Sequence, residues 1–218
     1  MTQKDLNGMQ QLMCSQHILQ LGTWSLRHPG YPYVSLCTYI MASEGLPTVL
    51  IASIAEHTQH IIKDPRCSFM VGMPDQRLES PRMSWQAQAQ RVEDKCRSTV
   101  SARFDRYFPE MQMFHQQLNF DFYRLVPMEG RWIGGFGRAL WMSWQSGIWI
   151  PDRDEEEEFL LWIAGKGVAH AIGFDAWGMD VRVDNLVQRI PWQTPVASVA
   201  ALKKQLSDNF PDNLLNLS

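Results

Sequence analysis

The chain has 218 residues, 45% of them hydrophobic and 20% charged, and carries a formal net charge of −3. Those values exclude a disordered or low-complexity chain and leave room for one large domain or two small ones. They also exclude the basic footprint that nucleic-acid binding requires. The densest apolar stretch, Leu46 to Ala55, is too short to span a bilayer. The first residues lack the basic-then-apolar pattern of a secretory signal, so a soluble cytoplasmic protein without membrane or nucleic-acid partners is expected. Cys14, Cys37, Cys67 and Cys96 are too scattered for a zinc site and too few to staple a chain of this length.

In chain order, Asp5 to Leu21 is rich in Leu, Met and Gln and predicts a helix with a weak point at Gly8. Loop chemistry follows at Arg27-His-Pro-Gly-Tyr-Pro32. Tyr33 to Met41 and Thr48 to Ala52 read as two strands around a Ser43-Glu-Gly45 turn, an antiparallel hairpin. Ser53 and Glu56 have the spacing of a capping box at the head of a helix over 54–63, which Asp64-Pro65 stops. Cys67 to Met73 reads as a third strand. Between residues 82 and 92, Met83, Trp85, Ala87 and Ala89 alternate with Ser, Gln and Arg, so one face of a fourth strand is apolar and the other amide-rich. A helical segment over 98–118 is reset by Pro109. Two further strands are expected at 120–126 and 132–144, the second interrupted by Gly134, Gly135 and Gly137.

Composition then shifts. Residues 1–150 hold 14 Lys and Arg against 12 Asp and Glu, whereas residues 151–218 hold 6 against 11, which places a domain boundary near Pro151. The acids of Asp152 to Glu158 suit a helix start, where they complement the helix dipole. Short strands are expected around 181–183 and 187–192, and Thr194-Pro195 reads as the cap of a last helix. The expected fold is mainly β with an α+β appendix: a six-stranded antiparallel split β-barrel over 1–150 and a small α+β domain over 151–218.

No Walker loop, GxSxG or HExxH string is present, and the Gly134-Gly-Phe-Gly137 cluster is not a dinucleotide fingerprint. The segment that follows the second strand is richer. Ser53, His57 and Thr58 lie at the head of a helix, where N–H groups, hydroxyls and an imidazole can hold a phosphate. The same residues also read as a plain cap and a surface histidine. Composition and spacing alone leave both readings open.

Several strings in order carry a resemblance. Tyr31-Pro-Tyr-Val-Ser35, Ile51-Ala-Ser-Ile-Ala-Glu-His-Thr58 and Asp64-Pro-Arg-Cys-Ser68 resemble the pyridoxamine 5'-phosphate oxidase-like FMN-binding split barrels. Together with Arg106-Tyr-Phe-Pro109, Asp121-Phe-Tyr-Arg-Leu125 and Gly134-Gly-Phe-Gly-Arg-Ala139 they resemble the haem-utilisation, HugZ/HutZ-like branch, over nearly the whole chain. The resemblance implies a homodimeric flavoprotein with FMN held between subunits and oxidoreductase chemistry carried by the flavin. It implies a phosphate site at Ser53, His57, Thr58 and Gln59, a flavin wall at Tyr33 and Ser35, and a cation from Arg82. It equally implies haem binding or degradation without flavin, for which His170 is the C-terminal candidate for the axial ligand of the iron. Relatives carry a basic residue at Gln59, an Asn at His60 and a His-rich string where Trp162 to Gly167 stands here; these departures leave a cofactor-less binding dimer as a third reading. No general acid or base is named by any of the three.

Overall fold

The computed structural model describes residues 2–72, 79–135, 137–144 and 147–208; Met73 and Phe136, which the sequence assigns to strands, lie outside them. Among the described residues, ten strands form two sheets. Helix α1 (Gln3–Ser15) begins at a capping box, in which Asp5 N–H donates to Thr2 Oγ1 and Thr2 N–H donates back to Asp5 Oδ2. The helix then stops where a strand was not expected. β1 (Ile18–Trp24) buries Leu19, Leu21 and Thr23 and turns Gln20, Gly22 and Trp24 the other way. That two-residue alternation overrides the Leu-rich helical composition, so the expected helix over 5–21 is a helix followed by a strand. Gly8 is no weak point, since a Cβ there would lie 3.2 Å from the Trp132 ring, and its absence lets helix and indole meet.

β2 (Pro32–Met41) and β3 (Pro47–Ala52) make the expected hairpin, with Tyr39 opposite Val49. Helix α2 (Glu56–Lys63) follows, then β4 (Arg66–Gly72) and β5 (Arg82–Arg91). The expected capping box is absent. Ala55 is the N-cap, with no side-chain cap bond, and Glu56 is already helical. α3 (Asp94–Tyr107), a 3-10 turn at Pro109–Met111 and α4 (Gln112–Gln117) form the insertion that Pro109 punctuates. The two strands expected at 120–126 and 132–144 are β6 (Phe120–Ile133), which runs on through 127–131, and β7 (Ala139–Ser143), its antiparallel neighbour. Gly137 has φ of 75°, the left-handed conformation glycine tolerates, so the glycines between the two turn the chain instead of interrupting a strand.

The sheet order is β3-β2-β1-β4-β5-β6-β7, and β3 also pairs with β6. The six strands β1–β6 therefore close an antiparallel barrel, with β7 as an extra strand on β6. Inside it, Tyr39, Val49, Phe69, Val71, Trp85 and Leu125 meet, and α1 covers one opening with Met9, Leu12 and Met13. The outer face of β2, β3 and β6 is buried under α3, where Ile40, Leu50 and Phe122 pack on Val100, Phe104 and Tyr107. The outer face of β1, the first half of β2 and β4 carries no helix and leaves Trp24, Val34, Leu36 and Met70 exposed.

Beyond Pro151, α5 (Arg153–Ala164) starts at an Asp152–Glu155 capping box, as the acidic run predicts. β8 (Ala171–Asp175), unexpected from sequence, β9 (Gly178–Val183) and β10 (Leu186–Pro191) form the second sheet in the order β10-β9-β8. Asp184 and Asn185 both take positive φ, the geometry of a tight hairpin between β9 and β10. Helix α6 (Val199–Asp208) is capped by Ser198, whose Oγ accepts from Ala201 N–H; Thr194, the expected cap, hydrogen-bonds Gln205 instead. Phe159, Ile163, Phe174, Met179 and Leu202 form a core of their own.

Five arginine side chains tie the parts together. Arg103 and Arg106 of α3 both grip the buried carboxylate of Glu156, and their guanidinium groups also donate to the Phe174 and Ile172 carbonyls of β8. Arg182 reaches back to the carbonyls of Arg106 and Tyr107, while Tyr107 OH donates to Asp180 at 2.6 Å. Arg189 spans Asp175 and Asp180. Arg138, on the β7 side, pairs with Asp5 at 2.7 Å.

Candidate cofactor-binding site

The uncovered side of the barrel carries a groove. Strand parity sends Gly22 and Trp24 of β1, Val34 of β2, Ser68 of β4 and Gln86 of β5 outward together. They line a hollow of about 500 Å³ with Pro32, Arg66 and Met128 at its margins. Gly22 leaves room at its floor for the Ser68 hydroxyl, since a Cβ there would sit 2.5 Å from Ser68 Oγ. Through Ser68 and Gln86 the groove continues into a second hollow of about 240 Å³ beside Arg82, Arg131 and Trp141. The Arg131 guanidinium lies 5.7 Å from the Trp141 ring centre, a cation–π arrangement. The β5–β6 pairing skips Met128 between Gln86 and Ala87, a bulge in β6 that bends that strand beside the junction of the two hollows.

The chemistry of this groove is apolar walls with cations towards its ends. Arg66 is exposed and paired with Asp64 at 2.6 Å, and that guanidinium holds the Asp64 carboxyl down to about 2. Cys67 is pushed up to about 12 by burial and stays a neutral thiol that donates to the Ala87 carbonyl. It is therefore neither a nucleophile nor a thiolate ligand at neutral pH. No histidine lines either hollow among the described residues.

The residues singled out in the sequence fall in three places. Most gather around α2. Tyr33 and Ser35 lie opposite Thr23 and Leu21, on the inward-facing side of β2, so they face α2 and the barrel interior while Val34 between them faces the groove. Thr58 is 1% exposed, and its Oγ1 has no partner among the described residues. His57 Nε2 is also unpartnered, and burial lowers its pKa, with neighbouring His60 adding to the effect. The Gln59 amide donates to the Ser53 carbonyl at 2.5 Å, and Ser53 N–H donates to the Asn119 carbonyl at 2.7 Å. Ser53 borders a separate polar hollow with Arg91, Arg97 and Asp121, where both guanidinium groups are already paired with Asp121.

Arg82 stands apart. It pairs with Gly72 at the far end of β5 from Gln88, the partner of Arg66, a separation of roughly 20 Å at strand rise. His170 precedes β8 in the second sheet; its backbone carbonyl accepts from Arg182 N–H, and its Nε2 has no partner among the described residues. One chain thus places His57, Thr58 and Gln59 on α2, with Ser53 bonded to Gln59 and Tyr33 against His60, whereas Arg82 and His170 lie elsewhere in the fold. His60 is buried and bonded to Thr23 Oγ1 at 2.9 Å, with the Tyr33 ring edge-on at 5.2 Å.

A phosphate dianion fits the α2 end poorly. The Thr58 hydroxyl is enclosed, the Gln59 amide is engaged, and burial favours the neutral form of the one imidazole on offer. A flat apolar ligand with acidic substituents fits the outer groove better. Sequence reasoning missed Gly22, Trp24, Val34 and Ser68 as groove residues. The signal was the alternation of β1, which fixes the parity of its neighbours.

Comparison with known proteins agrees with this architecture. Residues 9–147 match the family described as CREG, beta-barrel. The chloroplastic non-canonical heme oxygenase HOZ of Arabidopsis thaliana is 24% identical over 119 residues, 55% of this chain; the match spans 37% of that longer relative. The crystal structure of Atu2129, a protein of unknown function from Agrobacterium tumefaciens, superposes with a TM-score of 0.71 at 15% identity over 95% of both chains. A heme binding protein from Mycobacterium smegmatis superposes with a TM-score of 0.61 at 19% identity, covering 95% of this chain and 96% of that one. The barrel and the second sheet are thus a combination that other folded chains share.

Proposed function

The chain belongs to the CREG beta-barrel family, and on that premise we propose that it is a haem-binding split barrel that works as a homodimer. The observation that carries the reading is the groove on the uncovered face. Trp24, Val34 and Met128 supply apolar wall, and Arg66 at one end and Arg82 and Arg131 at the other supply cations. Haem is a flat apolar ring with both carboxylates on one edge, and such a ligand takes dispersion and burial from the walls and charge pairing from the cations of one end. The naming of two relatives for heme supports the same ligand. The proposal stops at binding, because the match covers little more than a third of HOZ.

A second copy supports the site in two ways. Val34 is 65% and Leu36 69% exposed on neighbouring outward positions of β2, beside Trp24 and Met70, a contiguous apolar face of the kind that marks an interface. His170 does not line the groove of its own chain, so its ligation of haem iron requires approach from the partner. Residues 151–218, with their own core, are proposed as a second domain docked on α3. FMN at the α2 end is the alternative ligand.

One experiment separates them. The purified protein is incubated with equal haemin and FMN, desalted, and its absorption recorded. A retained Soret band is expected, lost in Val34→Asp and kept in the Ser53→Ala/Thr58→Ala double variant. A band shifted by His170→Ala identifies the axial ligand. Flavin bands that vanish in Ser53→Ala/Thr58→Ala replace haem by FMN, and a bare protein spectrum overturns both.

A further inference from the structure

A different cavity lies on the other side of the molecule, where α1, the β6–β7 hairpin and the second sheet converge. It measures about 470 Å³, within the ordinary range for a small-molecule site. Lys4, Gly8, Gln11, Leu12 and Ser15 face it from α1, a spacing that keeps them on one side of the helix. Trp132 and Gly134 face it from the hairpin side, and Trp177, Arg189 and Pro191 from the second sheet. None of these residues belongs to the groove proposed for haem.

The lining is rich in donors and poor in acceptors. Its single carboxylate, Asp5, is already engaged by Thr2 N–H, by the Thr2 hydroxyl and by Arg138. That engagement, led by the Thr2 hydrogen bonds, lowers the Asp5 pKa and keeps it ionised. Arg189 is balanced by Asp175 and Asp180, outside the cavity. Lys4 has no ion-pair partner among the described residues, and Arg138 is half exposed with one partner. In the wall, Trp132 is 3% and Trp177 6% exposed, and the indole N–H of each finds no acceptor among the described residues. Buried donors left unpaired are rare in folded proteins and call for a partner. The apolar part of the lining comes from Leu12, Pro81 and Pro191 with the edges of the indoles, since Gly8 and Gly134 pack on the Trp132 ring.

From these observations we infer that the cavity binds a small aromatic carboxylate, its ring over Leu12, Pro81 and Pro191 at the edges of the two indoles and its carboxylate towards Lys4 and Arg138. The ligand brings what the wall lacks, acceptor atoms and negative charge, on a body that matches the indoles.

The probe is 2-naphthoate, with neutral 2-naphthamide as its isostere, titrated into the full chain by calorimetry and by quenching of tryptophan emission. One naphthoate per chain is expected, at least tenfold tighter than the amide. Lys4→Gln, which breaks no pair among the described residues and so leaves the fold alone, should weaken naphthoate several-fold and the amide not at all. Lys4→Gln/Arg138→Gln should remove the whole preference. Equal affinity for acid and amide, no binding at millimolar probe, or naphthoate affinity untouched by Lys4→Gln each overturns the inference. Retention of haemin is read in the same variants. Its presence or absence bears on the groove alone.

Discussion

His17 shows how a single residue can set the acid limit of the fold. It follows α1, and its ring centre lies 4.7 Å from that of Tyr107, with Tyr39 and Phe108 farther out at 6.5 and 6.3 Å. Burial, and then the Arg189 and Arg103 guanidinium groups, lower its pKa to about 4. In the unfolded chain the imidazole titrates near 6.5, so between pH 6.5 and 4 the unfolded state binds the extra proton. Stability is therefore complete above pH 6.5 and falls as the pH drops towards 4, by up to roughly 3 kcal/mol from this group. Urea midpoints measured at pH 7.5 and 4.5 check it. The His17→Gln variant should lose most of that difference, and an unchanged pH slope would exclude His17 as its source. Nothing in the sequence points to this, because His17 stands in a Gln-rich stretch and its neighbours come from residues 39, 107 and 108. His57 and Thr58, by contrast, were legible as a pair at the head of a helix; which way they face was not.

Elements with strict alternation were legible, and those whose pattern mixed two periods were not. β5 alternates without exception over Met83 to Ala89 and was read to within a residue. β1 was lost because Leu and Gln suit a helix as well as a strand, and β6 was read as ending at 126 because its long run contains Pro127 and Gly130. Gly130 is there for a reason that only the partner strand reveals: a Cβ would lie 2.5 Å from the Trp85 ring. The salt-linked junction of α3, α5 and β8 was equally invisible, since Arg103 and Glu156 are 53 residues apart. Removing one member of a buried charged set leaves the others uncompensated, so Glu156→Leu should cost about 3–5 kcal/mol in urea denaturation. Replacing the set together, as Arg103→Met/Arg106→Leu/Glu156→Leu, should recover much of that loss. If single and triple variants are equally unstable, the junction depends on packing and not on charge.

For the molecule as a whole, one side of the barrel is covered by α3 and the other is bare. The resemblance stated for the sequence led to the barrel and its appended small sheet; the uneven cover became visible only when strand parity was fixed. The bare side places Leu36 at 69% exposure among other apolar side chains, which is the basis for expecting a homodimer. Leu36→Glu should convert that dimer to a monomer in sedimentation analysis while the circular dichroism spectrum stays that of the folded barrel. A wild-type chain that sediments as a monomer at micromolar concentration would remove the dimer from the proposal. No helix among the described residues is long and apolar enough to cross a membrane.

The Arg103–Glu156 junction has a consequence in time. During synthesis Arg103 leaves the ribosome 53 residues ahead of the carboxylate that neutralises it. At about 5–20 residues per second, roughly 3–10 s pass before the partner of Arg103 is available. Until Glu156 emerges, burying Arg103 is unfavourable, so the helix stays solvated and the nascent barrel keeps both outer sides open. The side that will later be bare and the side that will later be covered are, for those seconds, equally available to another nascent chain.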